Sequence, residues 1–300
     1  MSERERIAAI DVGSNTVLLT VAEYDPEAGL VVIDKGEDQP RLGAGLSATG
    51  QLSEEAIRRA LGTLTAMRDV CRRHGVRRLA AVATAAVREA RNGSEFVERA
   101  RALDIPLRII SPETEAALSY RSAAHHFPGV QRQLVADIGG GSLELIGATN
   151  GRVRLSQSLP LGAVRLTELG IPLDQLRDRI RQGLSGPIQL AEWAGSTVIG
   201  SGGTFATLAS MALARRGSAG RAVHGTMVMA EEVERLLDAL ATMAPEQRRE
   251  MPGLRPERAD IIVAGLAVVL ELLEGVEAEG VTVSGFGLRD GLLLEMVGVV

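Results

Sequence analysis

Two similar strand–turn motifs, 126 residues apart, constrain the fold of this chain more than any other feature of its sequence. The first, Ala9–Asn15, is AIDVGSN, and the second, Val135–Ser142, is VADIGGGS. In each motif an aspartate ends an apolar strand, and glycine and small residues then lead into a second strand-like run. Repetition of such a unit predicts duplicated domains that face each other across a cleft.

Strand-like and helix-like runs alternate along the 300 residues, so the sequence predicts the α/β class. Each half opens with three strand-like runs, at residues 7–10, 17–24 and 30–35 and again at 134–138, 143–149 and 153–157. Further strands are predicted at residues 78–83, 106–110, 198–199 and 281–284. Helices are predicted at residues 53–74, 92–103, 111–127, 162–168, 173–184, 187–194, 204–215, 230–243, 259–273 and 288–296. We expect two domains, residues 1–128 and 129–300, with the last helix able to pack back on the first domain.

The two aspartate-led turns have the composition of phosphate-binding loops. Successive backbone N–H groups in a turn of small residues are open to an anion, and hydroxyl groups add donors. The residues concerned are Gly13, Ser14, Asn15 and Thr16 in the first turn and Gly139, Gly140, Gly141 and Ser142 in the second. The preceding Asp11 and Asp137 can hold a divalent cation that bridges to phosphate. In the alternative interpretation these are ordinary hairpins whose aspartates only fix the turns, and for Asp11 both roles stay open.

A third glycine-rich segment, Gly200–Thr204, follows a short strand and opens a helix. The N-terminus of a helix binds anions, so its candidate ligand residues are Gly202, Gly203 and Thr204. The segment has neither the GK[ST] ending of a Walker A motif nor the spacing of GxGxxG. A tight strand-to-helix turn is therefore the alternative.

The composition argues against several classes of partner. A net charge of −5 gives no basic field for nucleic acid or an anionic membrane. Four Phe, two Tyr and one Trp are too few for a base-stacking surface. The single cysteine, Cys71, cannot form an intrachain disulfide, and no Cys/His cluster predicts zinc. With no signal-peptide pattern and no apolar run of membrane-spanning length, we expect a cytoplasmic protein without nucleic-acid or membrane partners.

At these residues the chain resembles the exopolyphosphatase/guanosine pentaphosphate phosphatase family, within the actin, sugar-kinase and heat-shock-chaperone superfamily. The resemblance extends over essentially the whole chain and includes both aspartate-led turns. Further motifs that carry it, in order, are Arg41–Gly43, Thr84–Ala90, Ile110–Ala116, Leu159–Arg165, Gly200–Thr204, Pro252–Leu254, Arg258–Asp260 and Gly287–Gly291. One departure is Ala85, where family members often have a polar residue.

The resemblance implies two ribonuclease-H-like domains with the active site in the interdomain cleft. It also implies removal of a terminal phosphate with Mg²⁺, or Mn²⁺, as cofactor. Glu115 would activate the attacking water, Arg88 would support the phosphate, and Asp137 and Glu144 would serve substrate or metal.

Chemistry supports these roles but leaves alternatives open. Phosphoanhydride hydrolysis needs an oriented water, and a carboxylate at the end of a strand, such as Glu115, can provide that orientation. Alternatively, Glu115 and Glu113 only complement the dipole of the helix that they begin. Glu144 lies beside a phosphate loop, where a carboxylate must bind metal or share a proton, unless it is a solvated strand residue. For Arg88, the alternative is an ordinary surface arginine.

The expected activity is release of terminal orthophosphate from inorganic polyphosphate. Short chains should be preferred, because the sequence ends at Val300 without the additional domains of longer members and is acidic overall. The close alternative is a guanosine pentaphosphate phosphatase. A weakly catalytic alarmone or polyphosphate sensor, a sugar kinase and a chaperone ATPase are further alternatives on the same fold. A homodimer is compatible with each of them.

Overall fold

A computed structural model describes residues 4–185 and 189–299 of the chain. They form a mixed α/β protein with two sheets, which confirms the predicted class. The chain divides into two compact units, the first of Met1–Ser122 with Leu288–Val300 and the second of Ala123–Gly287. The sequence-based boundary at 128/129 lies beyond the helix within which the units divide. No helix in the described residues is long and apolar enough to cross a membrane.

The first unit contains a five-stranded sheet in the order β3-β2-β1-β4-β5. Its strands are β1 (Glu5–Val12), β2 (Val17–Asp25), β3 (Gly29–Asp38), β4 (Arg78–Ala83) and β5 (Leu107–Ile109). Its helices are α1 (Leu46–Thr49), α2 (Glu54–Arg73), α3 (Ala85–Glu89), α4 (Gly93–Arg101), α5 (Pro112–His126, whose last residues belong to the second unit) and α12 (Leu288–Met296).

Alternation along β1 divides the core of the first unit into two layers. Ala8 and Ile10 face a cluster formed with α2 and α4, whereas Ile7 and Ala9 face a cluster formed with α5 and α12. This follows from the two-residue side-chain period of a strand. Because Gly291 has no side chain, α12 approaches α5 closely: a Cβ there would lie 2.0 Å from a backbone oxygen of α5.

The second unit contains a six-stranded sheet in the order β8-β7-β6-β9-β11-β10. Its strands are β6 (Arg132–Ile138), β7 (Leu143–Thr149), β8 (Arg152–Leu159), β9 (Thr197–Ser201), β10 (Thr226–Met229) and β11 (Gly280–Val283). Its helices are α6 (Ala163–Thr167), α7 (Leu173–Ser185), α8 (Gly203–Arg215), α9 (Ala230–Ala241), α10 (Pro245–Arg248) and α11 (Ile262–Gly275). Short 3₁₀ turns lie at Leu190–Trp193 and Pro256–Arg258.

The two sheets share one topology over five strands, β1–β5 in the first sheet and β6, β7, β8, β9 and β11 in the second. In each, three antiparallel strands are followed by a strand parallel to the first of them and then by another parallel strand. The internal repeat seen in the sequence thus corresponds to a repeated fold. The second sheet adds β10 at its edge, antiparallel to β11.

Several elements differ from the sequence expectation. The helix expected at 187–194 is a 3₁₀ turn at Leu190–Trp193, and residues 187–188 lie outside the described part of the chain. The helix expected at 259–273 begins at Ile262, because a 3₁₀ turn occupies residues 256–258. Strand β10 was missed, since it has only four residues and runs directly into α9.

Candidate functional site

The first glycine turn (Gly13–Thr16) joins β1 to β2 and is fixed by its own backbone and by the 41–43 segment. Its closing bond runs from the Gly13 N–H to the Thr16 carbonyl, at 3.0 Å. The Ser14 carbonyl accepts from the Gly43 N–H at 2.7 Å, and the Asn15 carbonyl accepts from Arg41 at 3.1 Å. Because carbonyl and following N–H point in opposite directions across a trans peptide, the N–H groups of Asn15 and Thr16 point away from this segment.

Gly43 is required for the close approach of the 41–43 segment to this turn. A Cβ at Gly43 would lie 2.9 Å from the Cβ of Ser14 and 3.3 Å from that of Ala86 on α3. The side chains of Ser14, Asn15 and Thr16 are all buried. Asp11, at the end of β1, precedes this turn in the first unit.

The second glycine turn (Gly139–Ser142) joins β6 to β7 and repeats the same closing bond, from the Gly139 N–H to the Ser142 carbonyl at 3.0 Å. The start of α6 holds it: the Gly139 carbonyl accepts from Ala163 at 3.0 Å and the Gly140 carbonyl from Val164 at 2.9 Å. The Gly141 carbonyl accepts from the guanidinium of Arg165 at 2.8 Å.

With three successive carbonyls directed at α6 and Arg165, the N–H groups of Gly140, Gly141 and Ser142 point the other way. Such a run of amides forms a concave site for an anion. Gly162 lies against the back of this turn, where a Cβ would come within 2.3 Å of the Gly141 carbonyl carbon. The turn is thus backed tightly and cannot move toward α6.

Two carboxylates lie side by side next to the second glycine turn. The antiparallel register pairs Asp137 on β6 with Glu144 on β7, so both side chains are on one face of the sheet. Glu144 is only 2% exposed, which rules out a solvated strand residue. Its Oε1 accepts a hydrogen bond from the Ser158 hydroxyl at 2.8 Å, and Ser158 is its register partner on β8.

The glycine loop (Gly200–Thr204) adjoins Asp137. Gly202 has a φ of +89°, which favours glycine, and a Cβ there would lie 2.6 Å from Oδ1 of Asp137. At the start of α8, a Cβ on Gly203 would lie 1.9 Å from the guanidinium of Arg258. Arg258 is buried, so its positive charge reinforces the positive end of the α8 dipole.

The buried Glu115 and the half-buried Arg88 form an ion pair in the first unit. Arg88 Nη1 lies 2.9 Å from Oε2 of Glu115 and also donates to the Ile110 carbonyl at 3.0 Å. Arg88 lies in the last turn of α3, which follows β4, and Glu115 lies in the first turn of α5, which follows β5. Because β4 and β5 are parallel neighbours, their carboxyl ends bring the two residues together.

This pair was not predicted from the sequence, where Arg88 and Glu115 were interpreted separately. The 27-residue separation carries no periodic signal, so only the order of strands in the sheet could have shown it. Arg88 is not an ordinary surface arginine, since its side chain is only 19% exposed and donates two hydrogen bonds within the protein. Glu113, in the same first helical turn, is exposed, and a hydrogen bond from the Ser111 hydroxyl lowers the pKa of its carboxyl.

The predicted residues therefore gather in three places. The second unit brings together the second glycine turn, the glycine loop, Asp137 and Glu144, and the first unit holds the first glycine turn and the Arg88–Glu115 pair. Asp11 and Asp137, both considered as metal ligands, belong to different units.

Asp137 and Glu144 have the oxygen chemistry that Mg²⁺ requires. No group of three or more His, Cys, Asp or Glu suited to a metal occurs in residues 4–185 and 189–299. Mg²⁺ commonly takes only one or two carboxylates and completes its shell with water and substrate phosphate. The Asp137–Glu144 pair fits this donor set, because both carboxylates share a face beside a phosphate-type turn.

Comparison with known proteins gives a consistent result. The model of the family described as the Ppx/GppA phosphatase family matches residues 20–299. Exopolyphosphatase 1 of Mycobacterium tuberculosis is 29% identical over 301 residues, covering 96% of this chain and 87% of the relative. A guanosine-5'-triphosphate,3'-diphosphate pyrophosphatase of Vibrio parahaemolyticus is 31% identical over 300 residues, covering 97% of this chain. The chain spans 59% of the length of that Vibrio relative.

A solved structure shows the same similarity over the whole chain. The crystal structure of an exopolyphosphatase from Cytophaga hutchinsonii superposes with a TM-score of 0.91 at 27% identity. The match covers 99% of each chain.

Proposed function

The chain belongs to the Ppx/GppA phosphatase family, and we propose that it releases terminal orthophosphate from inorganic polyphosphate, preferring short chains. It is a phosphoanhydride hydrolase. The observation that supports the proposal most is the second glycine turn, whose amides face away from α6 beside the Asp137–Glu144 pair. This turn can bind phosphate oxygens, and the adjacent carboxylates can hold the cation that such a polyanion needs.

In the proposed reaction, Glu115 accepts a proton from the attacking water while the water oxygen forms a bond to the terminal phosphorus. The bond from that phosphorus to the bridging oxygen breaks, giving orthophosphate and a polyphosphate shorter by one unit. Arg88 holds the Glu115 carboxylate in place through the 2.9 Å contact. The amides of Gly140, Gly141 and Ser142 donate hydrogen bonds to phosphate oxygens. Because the turn already holds these amides in place, they stabilise the negative charge that develops on the phosphate without having to move.

Asp137 and Glu144 would hold Mg²⁺ or Mn²⁺. When bound, a divalent cation neutralises phosphate charge and favours departure of the leaving oxygen. Ser158 fixes the Glu144 carboxylate for this role through its 2.8 Å hydrogen bond.

The preference for short chains rests on charge. The chain is acidic, at −5, and contacts between exposed arginines and distant phosphates are weak and screened by salt. Phosphates far from the turns should therefore add little affinity. Efficiency that keeps rising into chains of hundreds of phosphates would contradict this part of the proposal.

The second candidate substrate is guanosine pentaphosphate, because the Vibrio relative that matches over almost the whole chain is named for that activity. A phosphate-binding turn accepts the terminal phosphate of either substrate, so the turns themselves do not discriminate between them.

The test is phosphate release with Mg²⁺ from polyphosphates of graded length, guanosine pentaphosphate and ATP. A Glu115→Gln preparation made in parallel controls for contaminating phosphatases. We expect the highest efficiency with short polyphosphate. Faster turnover of guanosine pentaphosphate would assign the alternative substrate, and equal turnover of all substrates would refute the specificity. An inactive wild-type protein that still binds polyphosphate would favour a sensor.

A further inference from the structure

The hydroxyl of Ser201, the last residue of β9, is buried in the second unit. The residue is 3% exposed, and its Oγ has no hydrogen-bond partner within the described part of the chain. A buried hydroxyl left without a hydrogen bond is destabilising, so such groups in native proteins usually meet a ligand, an ion or water. The buried Ser201 hydroxyl therefore has hydrogen-bonding and ligand capacity that no described residue of the chain uses.

The strand register places Ser201 at one end of a row of oxygen-bearing side chains. β9 is parallel to β6 and pairs Ser201 with Asp137, and β6 is antiparallel to β7 and pairs Asp137 with Glu144. Residues directly opposite each other in a sheet share a face, at a strand spacing of about 4.8 Å. A hydroxyl and two carboxylates thus follow one another across three adjacent strands.

Two glycines keep the space beside this row free of side chains. A Cβ on Gly287 would lie 3.8 Å from Oδ2 of Asp137 and 3.8 Å from the Cβ of Ser201. A Cβ on Gly202 would come within 2.6 Å of Oδ1 of Asp137. A Cβ at position 202 would therefore crowd the Asp137 carboxylate, whereas a Cβ at position 287 would only touch it at van der Waals distance.

The charge of the row decides which ligand it suits. Two neighbouring carboxylates repel an anion, whereas a hard divalent cation takes carboxylate and neutral oxygen donors together. We propose that the Ser201 hydroxyl is a further oxygen ligand of the divalent cation held at Asp137. This inference rests on the cation site of the proposed function, and it adds a ligand from the glycine loop to the two carboxylates.

The test measures Mn²⁺ binding to the full-length protein by electron paramagnetic resonance, without substrate. Ser201→Ala should weaken Mn²⁺ affinity roughly tenfold, the lower range for losing a group that supports a metal site. Ser201→Cys, nearly the same size, should weaken Mn²⁺ binding but strengthen Cd²⁺ binding, because thiolate is a soft ligand. Ser122→Ala is the matched control, since it removes another buried hydroxyl, on α5, that has no hydrogen-bond partner among the described residues. Its Mn²⁺ affinity should equal that of the wild type.

Several outcomes would overturn the inference. Wild-type Mn²⁺ affinity in folded Ser201→Ala would do so, as would no Mn²⁺ binding by the wild type or an equal loss in Ser122→Ala. If Ser201→Ala does not fold, an unchanged Mn²⁺-to-Cd²⁺ preference in Ser201→Cys is decisive against it. Because binding is measured without substrate, Ser201-dependent Mn²⁺ binding in a protein that releases no phosphate would reject only the proposed function. An active enzyme whose Mn²⁺ affinity is unchanged when Ser201 is replaced would reject only this inference.

Discussion

Replacing Glu115 by Gln tests the central catalytic assignment, because it removes the base while keeping the shape of the side chain. Gln can still accept a hydrogen bond from Arg88 through its amide oxygen. If Glu115 takes the proton from water, turnover should fall by about 10²–10⁴-fold, the usual contribution of general acid–base catalysis. Affinity for tripolyphosphate should hold or improve, since one negative charge near a polyanion is lost.

The structure also sets the expected change in stability. Oε2 of Glu115 lies 2.9 Å from Arg88 Nη1, and the two side chains are 9% and 19% exposed. A hydrogen bond to a charged group contributes about 1.5–3 kcal/mol, and Glu115→Gln keeps an acceptor for Arg88 but removes the opposite charge beside it. Glu115→Gln should therefore lower the free energy of unfolding by about 1–2 kcal/mol, leaving the protein folded. A helix dipole alone would account for about 0.3–1 kcal/mol.

Glu113→Gln is the matched control, since Glu113 lies in the same first turn of α5 and is exposed. It loses the same dipole interaction but leaves the Arg88 contact in place, so its turnover should equal that of the wild type. Phosphate release, calorimetric titration with tripolyphosphate and thermal unfolding are measured on all three proteins. Wild-type turnover in folded Glu115→Gln would refute the role as a base. An equal loss of turnover in both variants would indicate a general effect on the start of α5.

Three further predictions concern the metal, the second glycine turn and the lone cysteine. Asp137→Asn should raise the Mg²⁺ concentration needed for half-maximal phosphate release, because a carboxylate is replaced by a weaker neutral ligand; an unchanged Mg²⁺ titration would leave Asp137 only a turn-fixing role. Gly162→Ala should destabilise the protein by about 1–3 kcal/mol and reduce turnover, because its Cβ would meet the Gly141 backbone at 2.3 Å. The control Gly62→Ala, whose Cβ would have nothing within 4 Å, should neither destabilise the protein nor reduce turnover. Equal melting temperatures of the two variants would contradict this prediction. Burial raises the pKa of the Cys71 thiol to about 11, so the folded protein should react with maleimide at pH 8 far more slowly than the unfolded chain, and rapid labelling of folded protein would disprove the burial.

The sequence by itself determined the elements whose signals are local. The bounds of β4, β7 and α12 agree with the predicted runs at residues 78–83, 143–149 and 288–296. Ser53, the first residue of the helix predicted at 53–74, caps α2, its side chain accepting from the Ala56 N–H at 3.2 Å. Alternation, capping and turn composition act over a few residues, so these features can be read along the chain. The repeat of the aspartate-led turn likewise predicted that one topology occurs twice.

The tertiary structure decided which distant residues meet. Arg88 pairs with Glu115 because β4 and β5 are neighbours, and strand register places Ser201 opposite Asp137 and Ser158 opposite Glu144. These contacts depend on strand order and on the pairing offset between strands that lie up to 64 residues apart in sequence. A one-residue change in that offset would turn the side chains to the opposite face, and no local pattern specifies it. The chain's local chemistry thus indicated phosphate binding, and the folded sheet determined which oxygen and nitrogen atoms stand beside it.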